Sequence, residues 1–268
     1  MTAIEYLGPV GIGATAPQMF NAIDHNDNDA VKTYIVKFAN NRLGAKVLVN
    51  ELLALRFGKL IDICFPSGGI INIPKELVVN NRRLLIAGFT SGLHFGSRFL
   101  RGTQYLCRQN LHLAQNKSQM AGVILFDHMF YNLDRTLNRK NLLIRKEKTG
   151  YKIYAIDNSH LFRRGRWNVD WLNELKDGLT INHRRSFGLL LKHYLYPEDF
   201  ISYVEAIKDI SDEEIDEIIN SIPQKWLPDF EERVGLKEFI VKRIDMVDEI
   251  AYSLIELIPD VHGSSDPD

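Results

Sequence analysis

Two acidic residues, Asp134 and Asp157, lie at opposite ends of a segment with an amide-rich stretch between them. Asp134 belongs to the polar run N-L-D-R ahead of the apolar residues Leu142–Ile144. Asp157 follows Tyr151–Ile156, whose aromatic and β-branched residues favour a strand. Such a pair suits phosphoryl transfer, because one carboxylate can orient an attacking hydroxyl while a second carboxylate and an amide oxygen hold Mg²⁺.

A glycine-rich stretch near the start of the sequence could cover phosphates. Gly8, Gly11 and Gly13 alternate with small residues between two strand-like pieces, and glycine lets backbone amides approach an anion closely. Three glycines beside prolines are more often only a turn, so this stretch needs support from the residues that follow it.

A lysine and a glutamate downstream supply that support. Turn-forming residues at Asp24–Asp29 precede a predicted strand at Lys32–Phe38. Lys37, near its end, would ordinarily be a solvated edge charge. Residues 43–60 predict a helix, and Glu51, its one acidic residue, falls on the packing face. An inward carboxylate can pair with Lys37 and hold the amine towards phosphates.

The remaining pattern places strands first and helices later. Residues 61–74 predict two short strands around the turn Ser67–Gly69, and helices are predicted at residues 110–131, 211–221 and 231–257. Gly92–Leu100 suits an extended connector whose backbone faces an adenine, which makes His94 and Phe95 candidate nucleotide-binding residues. A buried strand is equally compatible with that stretch.

The composition restricts the partners. The 33 basic and 34 acidic residues leave a net charge of −1, so no global field draws the chain to nucleic acid or membrane. Cys64 and Cys107 can form one bridge at most, and the sequence begins without a signal peptide and contains no long apolar run, so we expect a soluble, cytoplasmic protein. The basic cluster Arg163, Arg164 and Arg166 is normally a solvated face, but it could contact an anionic substrate or partner.

The order of these features, together with several motifs, resembles the HipA-like kinases from about Leu7 to Ile250. The motifs are V-K-F, N-N-R-L-G-A-K-V-L-V-N-E-L, G-L-H-F-G-S-R-F, the segment Phe126–Thr136 and N-L-L-I. The resemblance is to the short form that lacks an extra N-terminal subdomain. It implies an α+β, protein-kinase-like two-lobed fold, with a small β-rich N-lobe at residues 1–92. A connector and a larger, mainly helical C-lobe follow at residues 93–262, and residues 263–268 are a disordered tail by composition.

The resemblance also implies roles for single residues. Asp134 would be the catalytic acid, Lys37 the phosphate-binding lysine with Glu51 as its partner, and Asp157 the magnesium aspartate, while the loop with Gly11 and Gly13 would cover the phosphates.

By this resemblance, Asn141 would be the asparagine that serves as the second metal ligand in the family. The family usually places this asparagine five residues after the catalytic aspartate, where this chain has Arg139. Asn138 therefore stays an alternative.

The activity implied is transfer of the γ-phosphoryl group of ATP, with Mg²⁺, to a serine or threonine of a protein. The family also implies autophosphorylation in the glycine-rich loop, where Thr15 is the hydroxyl available, and a small DNA-binding antitoxin as partner. The missing N-terminal subdomain argues against that partner here.

Other interpretations stay open at the level of sequence. Asp134 could be a loop carboxylate paired with Arg135 or Arg139, and Asp157 could cap a turn with Asn158 and Ser159. A small-molecule kinase of aminoglycoside type would share the acids and lysine, although R-R-G-R-W after Asp157 does not suit a cationic acceptor. A nucleotide-binding pseudokinase is the third interpretation, because D-F-G and A-P-E segments are lacking.

Overall fold

Five strands within the first hundred residues form a β-sheet that closes into a barrel. In the computed structural model, which describes residues 1–11, 15–25 and 27–259, the strands join in the order β1-β2-β3-β5-β4, and a parallel pairing of Thr2 with Asn72 closes the ring. The strands are β1 (Thr2–Pro9), β2 (Gln18–Asp24), β3 (Ala30–Lys37), β4 (Gly68–Ile73) and β5 (Gly92–Arg98). The predicted hairpin is present, since β2 and β3 pair along their whole lengths.

The barrel has its own apolar interior. Alternate residues of a strand point to opposite faces of a sheet, so a strand with one face in a core buries every second side chain. Three strands follow that pattern, with buried residues at Phe20 and Ala22 in β2, Tyr34 and Val36 in β3, and Ile71 and Ile73 in β4.

One prediction for this region differs from the structure. Residues 61–74 contain one strand, β4, because residues 61–65 make tight backbone bonds near the end of the preceding helix, with Ile63 N–H on Gly58 C=O at 2.8 Å. Of the two interpretations left open for Gly92–Leu100, the structure has the strand, β5, which runs through Arg98 and pairs with both β3 and β4. The barrel therefore continues past the predicted boundary at residue 92.

The helix predicted around Glu51 is present as α1 (Lys46–Leu60) and is buried on nearly every side. Residues 47–54 are all buried, which fits a sequence that is apolar around the whole helix. Its side chains join the larger apolar cluster, together with Phe95 of β5 and the later helices. Two polar residues within this buried run, Asn50 and Glu51, are consequently held inside the molecule.

The rest of the described chain is mainly helical around a second, smaller sheet. This antiparallel sheet has the order β6-β7-β8, from β6 (Gln104–Tyr105), β7 (Leu142–Glu147) and β8 (Gly150–Ala155). The further helices are α2 (Lys75–Val79), α3 (Arg82–Ile86), α4 (Arg108–Leu111), α5 (Gln119–Met129), α6 (Leu133–Leu137), α7 (Val169–Leu175), α8 (Arg185–His193), α9 (Pro197–Lys208), α10 (Asp212–Asn220), α11 (Phe230–Asp245) and α12 (Val247–Ile255), with a 3₁₀ turn at Arg139–Asn141.

Several helix predictions can be compared with these bounds. The capping box that begins α10 is confirmed, with Ser211 and Glu214 each bonding the other's backbone N–H. The single helix predicted over residues 231–257 is two helices that break at Met246. Asp134 lies in the short helix α6 rather than in an open loop. Within the described ranges, no helix is long and apolar enough to cross a membrane.

Candidate active site

Three charged side chains from distant parts of the chain meet beside the barrel. Lys37, at the end of β3, donates hydrogen bonds to Glu51 Oε1 and, at 2.8 Å, to Asp157 Oδ1. Lys37 and Asp157 are 120 positions apart in sequence. The lysine and Glu51 are both buried, whereas 36% of the Asp157 side chain is exposed. The predicted pairing of Lys37 with Glu51 is thus present, and Asp157 shares the same amine.

The charges of this cluster stabilise one another. Burial alone would lower the pKa of Lys37, but the carboxylates of Asp157 and Glu51 outweigh burial and hold its pKa above the ordinary value. Burial raises the pKa of Asp157, yet Lys37 and the hydrogen bonds from Ser159 more than reverse this, so its pKa lies below the ordinary range. Burial keeps the pKa of Glu51 above its usual value despite Lys37. The amine and the Asp157 carboxylate are therefore charged at neutral pH.

The backbone around Asp157 is arranged for this contact. Asp157 has φ +62°, a left-handed conformation that is uncommon outside glycine and often found at functional sites. Ser159 donates hydrogen bonds from its backbone N–H and its hydroxyl to Asp157 Oδ1. Asn158 N–H donates to Glu51 Oε1 at 3.1 Å. These bonds hold the Asp157 carboxylate against Lys37 and connect both to α1.

Asp134 is joined to this region through Asn141. Asn141 Nδ2 donates to Asp134 Oδ2 at 2.7 Å, and the Asn141 carbonyl accepts from Ile156 N–H, next to Asp157, at 2.9 Å. Asn138 instead uses its side-chain oxygen to accept from Lys140 N–H, within the 3₁₀ turn. Of the two asparagines that the sequence left open, Asn141 is the one beside the candidate catalytic acid.

The alternative in which Asp134 pairs with Arg135 does not match the structure. Arg135 is buried and its Nε donates to Asp127 Oδ2 at 2.7 Å, while its other nitrogens reach Ile156 C=O and Asn158 Oδ1. Burial raises the pKa of Asp127 to about 6, although Arg135 and Asn132 oppose the shift. Arg135 therefore ties α6 to the residues on both sides of Asp157, through the Ile156 carbonyl and the Asn158 side chain.

The described residues on either side of the glycine-rich turn lie at the Lys37 end of the sheet. Gln18, the first residue of β2, pairs with Val36, so the turn between β1 and β2 is at the end of β3 where Lys37 stands. Gly11 is exposed with φ +58°, and an added Cβ there would meet no neighbour within 4 Å. Thr15 is buried, with 5% exposure. Gly13, the other predicted phosphate-loop residue, lies outside the described residues.

The two candidates on β5 have different positions. Phe95 pairs with Lys37 across the sheet, so both residues are on the same face of it. His94 points to the opposite face, packs 4.3 Å from Phe38 and uses its ring nitrogens with Ala39 N–H and Thr90 C=O. The structure brings Phe95 towards the cluster. It does not bring His94 there, because a strand alternates its side chains between faces.

A second polar residue of α1, Asn50, holds the segment after Asp157. Its amide nitrogen donates to Ser159 C=O at 2.9 Å and to Gly165 C=O at 3.0 Å, and its oxygen accepts from Trp167 Nε1 at 2.9 Å. The side chain is buried, and these three hydrogen bonds all go to one segment of the chain. α1 therefore fixes the position of residues 158–167 as well as that of Lys37.

A family model described as HipA-like kinase matches residues 13–250, which is most of the chain. The chain belongs to the HipA-like kinase family. Among solved structures, the crystal structure of the Helicobacter pylori proinflammatory kinase CtkA resembles it, with a TM-score of 0.59, 13% identity and coverage of 96% of this chain and 97% of that one. This likeness shows a shared fold. No curated protein matches the sequence significantly.

The donor atoms of this HipA-like kinase fit a hard divalent cation. Lys37 and Ser159 occupy Asp157 Oδ1, and within the described chain no donor bonds Oδ2. Asn141 uses its amide nitrogen on Asp134, and among the described residues its side-chain oxygen accepts no hydrogen bond. Carboxylate and amide oxygens are the ligands Mg²⁺ prefers. Lys37, Glu51, Asp134 and Asp157 together also carry an excess of negative charge that a cation would offset.

The sequence interpretation gave no positioning role to three residues that hold the site in place, although it named Ser159 as a turn partner of Asp157. Arg135, Asn50 and Ser159 each bond the backbone or side chain of a proposed ligand segment. Asn50 could have been found, because a polar residue within an otherwise apolar helix needs a buried partner. No sequence signal identified the partner of Arg135, since two acidic residues, Asp127 and Asp134, precede it and either could pair with it.

Proposed function

We propose that this HipA-like kinase is an ATP-dependent enzyme that transfers the γ-phosphoryl group to a serine or threonine hydroxyl of a protein. The observation that carries the proposal is the buried contact of Lys37 with both Glu51 and Asp157. Desolvating such charges is unfavourable unless they are paired. A lysine held this way, next to a half-exposed carboxylate, is the arrangement that binds nucleotide phosphates and their metal in kinases.

In this proposal the barrel and the helical part are two lobes with the nucleotide between them. Lys37 comes from the barrel, and Asp134, Asn141 and Asp157 come from the helical part. Lys37 holds phosphate oxygens, the turn with Gly11 covers them, and Phe95 lies on the nucleotide side of β5.

Each acidic residue has a separate role. Asp134 Oδ2 is occupied by Asn141, and among the described residues no donor bonds its Oδ1, so this oxygen can accept the proton of an attacking hydroxyl. Asn141 and Asp157 would hold Mg²⁺, and bound Mg²⁺ supplies neutralisation of the phosphate charge. Positioning and charge stabilisation, rather than covalent chemistry, would then lower the barrier.

The decisive experiment incubates purified protein and its Asp157→Ala variant with γ-labelled ATP, Mg²⁺ and a lysate, followed by phosphoamino-acid analysis. We expect labelled phosphoserine or phosphothreonine that needs both Mg²⁺ and Asp157. Label found only on a small molecule would show a different acceptor class. Absence of any label that depends on Asp157 would overturn the proposed activity.

The role of Asp134 has its own test. Asp134→Asn keeps the shape of the side chain but removes the basic oxygen, so we expect turnover to fall by about 10²- to 10⁴-fold. Binding of MgATP, measured by calorimetry, should stay within about twofold. Asp209→Asn, at an exposed position after α9, is the matched control. Full turnover by the Asp134 variant would mean that another group orients the hydroxyl.

A further inference from the structure

Five exposed arginines lie in the segment after Asp157 and at the start of α8. They are Arg163, Arg164, Arg166, Arg184 and Arg185, and we call them the arginine face. The chain as a whole has a net charge of −1, so this is a local concentration of positive charge. Acidic residues gather elsewhere, for example in the first turn of α10.

The arginine face makes its contacts with neutral groups. Arg166 donates to the carbonyls of Leu43 and Arg42, at 3.0 and 2.7 Å, and Arg163 donates to the Thr180 hydroxyl at 2.9 Å. The Arg164 guanidinium lies 4.3 Å from the centre of the Trp171 ring. Among the ion pairs of the described chain, none includes an arginine of this face. In the described chain, therefore, no carboxylate lies within 4 Å of these guanidinium groups.

Two of these arginines are placed on either side of Asp134. Arg163 N–H bonds the Tyr131 carbonyl at 3.1 Å, and its guanidinium lies 5.1 Å from the centre of that ring. Arg185 donates to the carbonyl of Leu137, at the end of α6. Tyr131 precedes Asp134 by three residues and Leu137 follows it by three. The two arginines thus contact the chain three residues before and three residues after the carboxylate proposed to receive the acceptor hydroxyl.

Backbone conformation points to a use for the same two side chains. Arg163 has φ +71° and Arg185 has φ +54°, in the left-handed region where glycine is favoured and other residues are strained. Long charged residues stand at both positions, and such outliers concentrate at functional sites.

We propose that the phosphorylated serine or threonine lies in an acidic segment of its protein, with Asp or Glu side chains close to the acceptor hydroxyl. Guanidinium groups bind carboxylates through paired hydrogen bonds, and an uncompensated positive surface accelerates encounter with anionic segments. This inference rests on the proposed kinase activity and adds the class of its substrate. It also disfavours a small cationic acceptor at this site.

The test uses three peptides with the same central serine, flanked by glutamate, by glutamine or by lysine. We expect kcat/KM to be at least about tenfold higher for the glutamate peptide than for the lysine peptide, because several charge pairs act together. The difference should shrink as ionic strength rises from 0.05 to about 0.5 M, because salt screens exposed charges. The second measurement is peptide binding without nucleotide, detected by fluorescence anisotropy. The affinities should rank the three peptides in the same order.

Variants separate charge from structure. Arg184→Gln, whose side chain is exposed, should lower kcat/KM for the glutamate peptide about three- to tenfold, and Arg184→Glu should raise it for the lysine peptide. Arg185→Lys keeps the charge and should retain the preference that Arg185→Gln weakens. Arg82→Gln, an exposed arginine on α3, is the matched control and should leave the preference unchanged. Thermal unfolding of each variant checks that it is folded.

Three results would overturn the inference. Equal rates for the three peptides would show that the arginine face does not select the substrate, while phosphorylation itself would still support the proposed kinase. If Arg82→Gln weakens the preference for the glutamate peptide as much as Arg184→Gln does, the preference would come from the overall charge of the protein. Arginine-dependent binding of a single-stranded oligonucleotide, with no discrimination among peptides, would make this a nucleic-acid surface. Failure to bind MgATP at all would instead refute the proposed function.

Discussion

At Lys37 one amine balances two carboxylates, and this arrangement makes the three residues depend on one another. Glu51 is buried, with 5% of its side chain exposed, while Asp157 reaches solvent on one side. Removing the lysine would leave Glu51 charged and without its partner inside the molecule. Removing the glutamate would still leave Lys37 paired with Asp157. The two substitutions should therefore lower the free energy of unfolding by different amounts.

A double-mutant cycle measures this dependence. We expect Lys37→Met to lower the free energy of unfolding by about 3–5 kcal/mol, because it leaves a buried charge uncompensated. In the double variant with Lys37→Met and Glu51→Gln, the loss in the free energy of unfolding should be smaller than the sum of the losses in the two single variants. The coupling energy, measured by urea unfolding, should be about 1–3 kcal/mol. The exposed pair Lys208 and Asp248 is the control, and we expect no measurable coupling there. Additive effects at Lys37 and Glu51 would contradict the buried contact.

At the scale of elements, α1 is the part that joins the barrel to the rest of the chain. Lys46, at its start, donates to Glu232 of α11 and to the Trp167 carbonyl. Glu51 reaches Lys37 and the Asn158 N–H, and Asn50 bonds the segment 159–167. One helix thus fixes the lysine and the aspartate segment relative to each other. Substitutions in α1 should therefore affect the site even where they replace no residue proposed to bind the metal or the phosphates.

Asn50→Ala tests this role of α1. The change leaves Trp167 Nε1 and the carbonyls of Ser159 and Gly165 without their buried partner, so we expect the free energy of unfolding to fall by about 2–4 kcal/mol. We also expect a weaker apparent affinity for MgATP, because the segment that carries Asp157 is no longer held. Asn220→Ala, at an exposed end of α10, serves as the comparison. A destabilised Asn50 variant with unchanged nucleotide affinity would limit α1 to a purely structural role.

At the scale of the whole molecule, the site exists only when the two sheets and the helices are assembled together. Lys37 comes from the barrel, Asp157 from the end of the second sheet, and Asp134 from a helix between α5 and β7. A ligand that contacts all three parts would oppose unfolding of the entire chain rather than of one element. Nucleotide binding should then appear as a shift of the global transition.

We expect MgATP at about 100 times its dissociation constant to stabilise the protein by about 2.7 kcal/mol, and the melting temperature to rise accordingly. Omitting Mg²⁺, or using the Asp157→Ala or Lys37→Met variant, should remove most of the shift. Arg82→Gln should keep it. The melting temperatures are measured by scanning calorimetry. A shift of the same size in all variants would mean that the nucleotide binds somewhere other than the Lys37 cluster.

The amino-acid sequence by itself determined the local elements and the residue types at the site. Strand-favouring residues and a preceding turn predicted β3 and β8, the spacing of apolar residues predicted α1, and the capping box predicted the start of α10, because these signals depend on neighbouring residues. Asp134, Asp157, Lys37 and Glu51 were identifiable as candidates from their positions in such elements and from a family resemblance that the family match confirms.

Tertiary structure alone decided which side chains meet. The contact between Lys37 and Asp157 spans 120 positions, the barrel closes by pairing β4 with β1, and His94 turns to the opposite face of β5 from Lys37. Arg135 follows two acidic residues in sequence, Asp127 and Asp134, and only the packing of α6 directs it to Asp127. Such choices follow from long-range packing and from the burial of charge, and neither is encoded in the spacing of neighbouring residues.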